Sequence, residues 1–251
     1  MPLPIDLNAD LGESYGAWRM GDDAALMPFI SSCNIACGFH AGDPRIMDHT
    51  VRLALAAGVH IGAHPSLPDI QGFGRRDMAI SADEAHALVL YQIGALAAFC
   101  KARGARLHHV KPHGALYNMA ARDPLLAAAI AQAVADFDRE LILVGLANSA
   151  SIVAGRAAGL SVWQEAFADR RYTANGQLQP RNQPGAVIVD VEQAVQQALD
   201  IARHGAVTSA EGERLTLQAD TICLHGDSAH ALALAARVRQ EIDALSAGQV
   251  L

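Results

Sequence analysis

The sequence has few of the features that mark nucleic-acid-binding, membrane or secreted proteins. It contains no dense block of Lys and Arg and carries a net charge of −7 at pH 7, which argues against nucleic-acid binding. Its longest apolar run, near residues 88–100, is interrupted by Gln92 and Gly94 and is too short to span a bilayer. The sequence does not start with a basic region followed by an apolar stretch. We therefore predict a cytoplasmic protein with no membrane-bound segment.

Motifs of several catalytic classes are missing as well. There is no GxxxxGK[ST] phosphate loop, so ATP, if it is used, would not bind this chain through that loop. There is also no HExxH or other close-spaced metal-ligand motif. The four cysteines form no CxxC pair, which favours buried thiols over metal ligands or disulfides. These absences favour chemistry on a small molecule by acidic and basic side chains.

A unit of strand, polar loop and helix recurs along the chain. Strands are predicted at residues 5–9, at a run that ends with Cys37, and at residues 59–63, 107–110, 141–145, 160–166 and 221–224. Helices of ten or more residues separate them, which favours parallel β/α units with right-handed crossovers. The expected fold class is α/β, a seven-stranded β/α barrel-like fold related to the TIM barrel. We expect residues 1–251 to form it as one domain.

Several turns and helix starts have specific sequence signals. Asp43, followed by proline, is a predicted helix N-cap, and Ser81 with Glu84 forms a capping-box pattern. Asn175–Gly176 predicts the turn of a small hairpin that could shield a site. The apolar residues 187–189 are a candidate for one extra strand.

Four histidines and four other titratable residues fall at the predicted strand exits. Because the carboxyl ends of parallel strands meet at one end of a barrel, these side chains are expected to face one pocket. A single histidine is more often structural, but four in equivalent positions favour a functional site. The candidates for catalysis are Asp10, His40, His64, Lys111, His113 and Glu165, while His225 and Asp227 are candidates for substrate binding.

Lys111 and His113 are the strongest of these candidates. They lie two residues apart after the fourth strand, so on an extended chain their side chains point the same way. A lysine at the end of a buried apolar strand is hard to explain as structure, because burial of its charge without compensation is costly. This pair therefore predicts chemistry that uses a positive charge.

Other polar residues near the strand exits complete the predicted site. The additional candidates for substrate binding are Asn8, Glu13, Asn34, Arg75, Arg76 and Arg170. The guanidinium groups suit an anionic substrate, because they bind carboxylate and phosphate groups through two hydrogen bonds. For Arg75 and Arg76, a solvated surface pair is an equally good interpretation.

Asp10, His40 and His64 form a candidate site for a divalent metal ion. Imidazole and carboxylate ligands from neighbouring strands make an open three-ligand site that activates water. Acid/base hydrolysis by histidine, lysine and glutamate without a metal is equally compatible with the sequence. The residues alone leave this choice open.

Six sequence blocks carry a resemblance to a known family. They are DLNADLGE, SSCNIACGFHAGDP, GAHPSLPD with GFGRR, VKPHGALYN, EAFADRRY and LHGD, within residues 5–227. Together they resemble the signature blocks of the LamB/YcsF family, the A subunits of bacterial 5-oxoprolinase. The resemblance implies a seven-stranded barrel-like fold of the glycoside hydrolase/deacetylase type. It also implies a role in the ATP-dependent opening of 5-oxoproline to L-glutamate, together with partner subunits B and C.

This resemblance and the missing phosphate loop lead to a hypothesis of divided chemistry. Subunits B and C would activate 5-oxoproline with ATP, and this chain, as the A subunit of an ATP-hydrolysing 5-oxoprolinase, would open the activated ring with water. Asp10, Glu165 or a histidine would position the water, while Lys111 and His113 would stabilise negative charge and an arginine would bind the substrate carboxylate. Two alternatives are a stand-alone metal-dependent deacetylase or amidohydrolase, and a non-catalytic substrate-binding subunit.

Overall fold

A closed barrel of seven parallel strands forms the centre of the molecule. The computed structural model describes residues 5–224 and 231–248. The barrel strands are β1 Asp6–Leu11, β2 Ser32–Ala36, β3 His60–His64, β4 Leu107–Val110, β5 Ile142–Leu146, β6 Ser161–Phe167 and β9 Thr221–Leu224. Between β6 and β9, the short strands β7 Ala206–Thr208 and β8 Arg214–Thr216 form an antiparallel pair. The predicted α/β class and seven-stranded barrel are confirmed.

Helices surround the barrel. They are α1 Asp23–Leu26, α2 Pro44–Ala57, α3 Ala82–Ala102, α4 Gly114–Arg122, α5 Pro124–Phe137, α6 Ala150–Ala157, α7 Val191–His204 and α8 Ala231–Gly248, with a 3-10 turn at Met27–Phe29 after α1. By length and composition α3 could cross a membrane, but core helices of soluble proteins pass the same test. Val89, Ile93 and Leu96 of α3 are buried in the hydrophobic core.

The predicted helix-start signals are confirmed. The Asp43 carboxylate accepts hydrogen bonds from the backbone N–H groups of Arg45 and Ile46 at the start of α2. Ser81 and Glu84 form the capping box of α3, with each side chain accepting from the other residue's backbone N–H. These caps fix where the loops above the barrel end.

The hydrophobic core lies between the strands and the helices, whereas the barrel axis is polar. Residues of β1 alternate, so Leu7 and Leu11 are buried on the helix side. The other face of the strands points to the axis and carries buried polar side chains, among them Asn8, Asn34, His109, Lys111 and Glu165. Barrels of this architecture are usually filled with branched apolar side chains. A polar axis therefore calls for a functional explanation.

Several elements differ from the predictions. Helices α1 and α6 are shorter than the ten residues expected between strands, and α4, β7 and β8 lie outside the predictions. Helix α4 begins at Gly114, which has φ 55, and a glycine at this position does not predict the start of a helix. The apolar face of α4 includes the buried Leu116 and Ala120. The strands β7 and β8 have three residues each and carry exposed polar side chains, so their periodicity is too short to detect.

The segment that follows β6 agrees with one prediction and corrects another. The backbone N–H of Thr173 donates to the Gln177 carbonyl across the predicted turn, where Gly176 has φ 78. The predicted extra strand at residues 187–189 is wrong. Val187 forms only an isolated bridge with Arg170, because the segment meets this loop and not a barrel strand.

Candidate active site

Lys111 lies at the centre of a buried polar network inside the barrel. Its Nζ is 2.7 Å from Oε1 of Glu165, 2.9 Å from Oδ1 of Asp10 and 3.1 Å from Oδ1 of Asn8. Burial alone would lower the pKa of Lys111, but the neighbouring negative charges raise it well above its ordinary value. Lys111 is therefore a fixed ammonium group, and its buried charge is compensated by two carboxylates.

Two asparagines hold these carboxylates in place. Asn8 donates through Nδ2 to Glu165 Oε1 at 3.0 Å and to Thr221 Oγ1 at 2.7 Å. Asn34 donates through Nδ2 to Asn8 Oδ1 at 2.7 Å and to Asp10 Oδ1 at 2.9 Å. Both asparagines are almost fully buried beneath the strand exits. Through these hydrogen bonds the two asparagines orient the Glu165 and Asp10 carboxylates toward Lys111.

Three histidines and one glutamate form the upper histidine cluster, which consists of Glu13, His40, His64 and His113 at the carboxyl ends of the strands. Glu13 Oε1 is 3.0 Å from His40 Nε2, and His64 Nε2 is 2.9 Å from His113 Nδ1. The rings of His40 and His113 stack at 3.8 Å. One ligand atom from each residue lies within 4.8 Å of the others, so the cluster could hold a metal ion.

Backbone carbonyls orient two of these rings. His64 Nδ1–H donates to the Lys111 carbonyl at 2.7 Å, and His113 Nε2–H donates to the Phe73 carbonyl at 2.9 Å. Burial, with the neighbouring imidazoles, lowers the pKa values of His40 and His113 well below the ordinary value. His40 and His113 are therefore neutral imidazoles at neutral pH.

Asp10 connects the upper histidine cluster to the Lys111 network. Its Oδ2 is 3.2 Å from His64 Nε2, while its Oδ1 accepts from Lys111. The six predicted catalytic residues thus lie in one chain of contacts from His40 to Glu165. The predicted metal ligands His40 and His64 belong to the upper histidine cluster, and Asp10 lies beside it.

The loop after β3 covers the upper histidine cluster. Phe73 has φ 55, a strained value for a residue with a side chain, and its ring packs edge-on against His40 at 5.3 Å and His113 at 5.1 Å. Gly74, with φ 64, approaches so closely that an added Cβ would lie 2.2 Å from Ser66 Oγ. The block GFGRR contains Phe73, but the role of Phe73 depends on its backbone conformation, which the sequence does not reveal.

The three candidate arginines have different surroundings. The guanidinium of Arg75 lies 4.8 Å above the Phe73 ring, over the upper histidine cluster. Arg76 is paired with Asp69 of its own loop through Nε at 3.0 Å. Arg170 is buried, donates to the Gln179 and Ala186 carbonyls of the hairpin segment, and has its pKa lowered by burial to about 10. Arg75 is the arginine placed closest to the histidines.

Two candidates, His225 and Asp227, lie outside the described residues, and one buried residue beside Glu165 lies outside the predictions. Tyr117 on α4 is buried, and its hydroxyl lies next to the Glu165 carboxylate. Burial and the charge of Glu165 raise the pKa of Tyr117 well above its ordinary value. The block VKPHGALYN contains Tyr117, but the sequence analysis assigns it no role, since it lies within the unpredicted helix α4.

Residues 12–16 match the GxSxG spacing of a serine nucleophile elbow, in which a strand turns directly into a helix. The structure gives Ser14 a different place. Tyr15 and Trp18 exchange backbone hydrogen bonds in a tight hairpin, and Ser14 Oγ accepts from the Met20 backbone N–H at 3.0 Å. Ser14 is therefore a turn residue in this structure.

The match to a family model covers residues 5–249, and the family is described as the LamB/YcsF family. A protein named as the A subunit of 5-oxoprolinase, from Bordetella pertussis (strain Tohama I), is 59% identical over 239 residues, which is 95% of each chain. One of the same name from Bacillus subtilis (strain 168) is 55% identical over 240 residues, 96% of this chain and 93% of that one.

A solved structure agrees with these sequence matches. The crystal structure of a lactam utilization protein from Thermus thermophilus superposes with a TM-score of 0.91 at 50% identity. The match covers 97% of this chain and 98% of that chain. The fold is thus shared over nearly the whole length of both proteins.

Proposed function

The chain belongs to the LamB/YcsF family, and on that premise we propose that it is the ring-opening subunit of a 5-oxoprolinase. Its substrate would be the lactam of 5-oxoproline in an ATP-activated form, and its product would be L-glutamate. Partner subunits B and C would bind ATP and supply the activation, in the cytoplasm. The names of its relatives, which state a 5-oxoprolinase, support this assignment.

The pairing of a fixed ammonium with neutral imidazoles is the observation that carries this proposal. Lys111 is held between Asp10 and Glu165, and His64 connects Asp10 to the other histidines. A permanent positive charge stabilises an oxyanion or phosphate as it develops. A neutral imidazole can accept a proton from water at neutral pH. Ring opening by water needs both functions.

The proposed reaction follows from the chemistry of the substrate. A five-membered lactam is a poor electrophile, and phosphorylation of its amide oxygen makes the carbonyl carbon reactive. A first water adds to that carbon, and the ring C–N bond breaks with its electron pair and a proton going to nitrogen. A second water releases the phosphate and leaves the side-chain carboxylate of glutamate.

Named residues would share the work within this chain. Asp10, Glu165 or a neutral histidine would take the proton of the attacking water. Lys111 and His113 would stabilise the developing negative charge, and Arg75, above the upper histidine cluster, would bind the substrate carboxylate. Arg76 and Arg170 are weaker candidates, because their contacts hold loops together.

The test is glutamate release from 5-oxoproline plus ATP by this chain alone, by the two partner subunits alone, and by all three mixed. We expect glutamate only from the mixture, with ATP consumption that depends on the partners. A mixture containing the Lys111→Met chain should form no glutamate, while the subunits still co-purify. Equal activity without this chain would refute the proposal.

A second candidate is favoured by the upper histidine cluster, which could hold a divalent metal ion as a cofactor. In that case the chain would be a stand-alone metal-dependent amidohydrolase or deacetylase. It would release product without ATP or partners, and a chelator would abolish its activity. The same mixing experiment distinguishes the two candidates, because only the second predicts turnover by this chain alone.

A further inference from the structure

Two nitrogen lone pairs face each other inside the upper histidine cluster. His64 uses its Nδ1–H and His113 its Nε2–H to donate to backbone carbonyls. In the neutral tautomers the other nitrogens, His64 Nε2 and His113 Nδ1, carry lone pairs, and they lie 2.9 Å apart. Two facing lone pairs repel unless a cation lies between or beside them. The backbone contacts thus preset both rings to bind a positive species.

A proton could satisfy only one pair of atoms in this cluster. Glu13 Oε1 lies 3.0 Å from His40 Nε2 and 3.5 Å from His113 Nδ1, so four electron-pair donors converge. Metal-ligating histidines commonly donate their second N–H to a carbonyl, as His64 and His113 do here. Bonds of about 2.0–2.1 Å place tetrahedral ligands about 3.3 Å apart, close to these separations.

The charges of the surrounding residues also favour a dication. Asp10, Glu13 and Glu165 are carboxylates, and Lys111 is the ammonium group in contact with two of them. Glu13 lies beside His40 and His113 in a buried pocket, where a bound cation would offset its negative charge.

We infer that Glu13, His40, His64 and His113 bind one divalent transition-metal ion, through a carboxylate oxygen, two Nε2 atoms and Nδ1 of His113. Three imidazoles with one carboxylate suit zinc-like ions, whereas magnesium and calcium prefer oxygen ligands alone. Asp10 is then the bridge from this site to Lys111, not a ligand. With the histidine nitrogens bound to the ion, the proton of the attacking water would pass to Asp10 or Glu165. This site differs from the Asp10, His40 and His64 set by the exchange of Asp10 for Glu13 and the addition of His113.

Metal binding by the full chain, without substrate or partners, tests this inference. The chain is stripped with a chelator, and zinc binding is measured by calorimetry and by elemental analysis after dialysis. We expect one zinc ion per chain. Cobalt should bind at the same stoichiometry and give the visible absorption bands of a four-coordinate site. Because no turnover is involved, failure here is distinct from failure of the ring-opening proposal.

Single substitutions identify the ligands. Glu13→Gln and His113→Asn should each weaken zinc binding at least about 10-fold, since even partners outside the ligand shell affect metal affinity by about 10- to 100-fold. Asp10→Asn should weaken it less than Glu13→Gln does. His49→Asn, on the exposed surface of α2, is the matched control and should leave binding unchanged. Circular dichroism checks that each variant is folded.

Three results would overturn the inference. Wild-type chain that binds no zinc would mean that the facing nitrogens share a proton instead. Zinc binding that is equal in the wild type, Glu13→Gln and His113→Asn would be adventitious. Loss of binding in Asp10→Asn with full binding in Glu13→Gln would assign the site to the other ligand set.

Discussion

The barrel has a histidine cluster at each end, and the two clusters differ in what their nitrogens contact. The lower histidine cluster consists of His60, His108 and His109 at the amino-terminal ends of β3 and β4. The rings of His60 and His108 stack with their centroids 4.2 Å apart. In the upper histidine cluster, the rings of His40 and His113 stack in the same way at 3.8 Å. Ring stacking is therefore common to both ends and does not distinguish a site from a packing arrangement.

The hydrogen-bond partners make the distinction. In the lower histidine cluster, His109 Nε2 faces the Asn34 side-chain oxygen at 2.8 Å, and Nδ1 of His109 faces Nδ1 of His108 at 3.2 Å. His108 and His109 also pack against the Trp163 ring. Burial and the neighbouring His60 lower the pKa of His108 to about 4. His109 donates Nε2–H to Asn34, so its Nδ1 can accept an N–H from His108, and the lower histidine cluster is satisfied without a cation. In the upper histidine cluster both facing nitrogens carry lone pairs, and the Glu13 and Asp10 carboxylates lie beside them.

Replacement of Lys111 should have the largest effect on the upper end. Lys111→Met leaves Asp10 and Glu165 buried without their cation, so we expect a loss of about 3–5 kcal/mol in the free energy of unfolding and no glutamate formation. Urea unfolding and the glutamate assay with all three subunits measure the two effects. Lys101→Met, at an exposed position of α3, is the control and should change the free energy of unfolding by less than about 0.5 kcal/mol. Retained turnover would remove Lys111 from the mechanism.

A pair of histidine substitutions compares the two clusters directly. His113→Asn should lower kcat of the assembled enzyme by about 100-fold or more, the usual cost of losing one group that stabilises a developing negative charge. His108→Asn should change kcat by less than about threefold, because its contacts are with His60, His109 and Trp163 at the other end of the barrel. Steady-state kinetics of both variants in the mixture of all three subunits decide this. Equal losses in the two variants would contradict the assignment of function to one end.

A pair of glycine substitutions tests the supports of the two clusters. A Cβ on Gly74 would lie 2.9 Å from His40 Cβ, and a Cβ on Gly62 would lie 2.1 Å from His109 Nε2. We expect both alanine variants to lose about 2 kcal/mol of unfolding free energy, because each forces a packed ring to move. Only Gly74→Ala should also weaken zinc binding. Calorimetric titration and urea unfolding of each variant provide the check, and weaker zinc binding in Gly62→Ala would show that the two ends are coupled.

The smallest expected effect is a change in KM on substitution of Arg75, which lies above the upper histidine cluster. Arg75→Gln should raise KM about 10-fold with little change in kcat, because a lost carboxylate contact of about 1.4 kcal/mol affects binding alone. Arg76→Gln is the matched control, since its guanidinium is paired with Asp69. KM values for both variants are compared in the mixture of all three subunits. A larger KM change in Arg76→Gln would reverse the assignment.

The sequence predicts the strand exits well, because local signals determine them. His40, His64 and His113 each follow an apolar run that predicts a strand, and parallel strands must bring such positions to one end. The inner faces of β1 and β2 are equally regular, which places Asn8 and Asn34 inside the barrel. The alternation of polar and apolar residues along a strand does not predict which inward side chains meet across the barrel axis. Those contacts depend on how the barrel closes.

The contacts that define the upper histidine cluster are the part that sequence reasoning could not supply. Glu13 reaches His40 because the loop after β1 folds back at Gly12, which has φ 69. Phe73 presents its carbonyl to His113 because of its positive φ, a value that its residue type does not predict. Sequence patterns suggest substrate binding for Glu13 and no role for Phe73, because both positions depend on loop geometry.

The closure of the barrel by β9 has a consequence for the synthesis of the protein. β9 pairs with both β1 and β6, and the Thr221 hydroxyl donates to Asp6, 215 residues away. On the same strand, Cys223 Sγ lies 3.2 Å from Lys111 Nζ. Contacts this distant in sequence form slowly during folding. A nascent chain on the ribosome therefore carries all the histidines of the upper histidine cluster long before it can assemble a working pocket, which forms only after β9 has been synthesised.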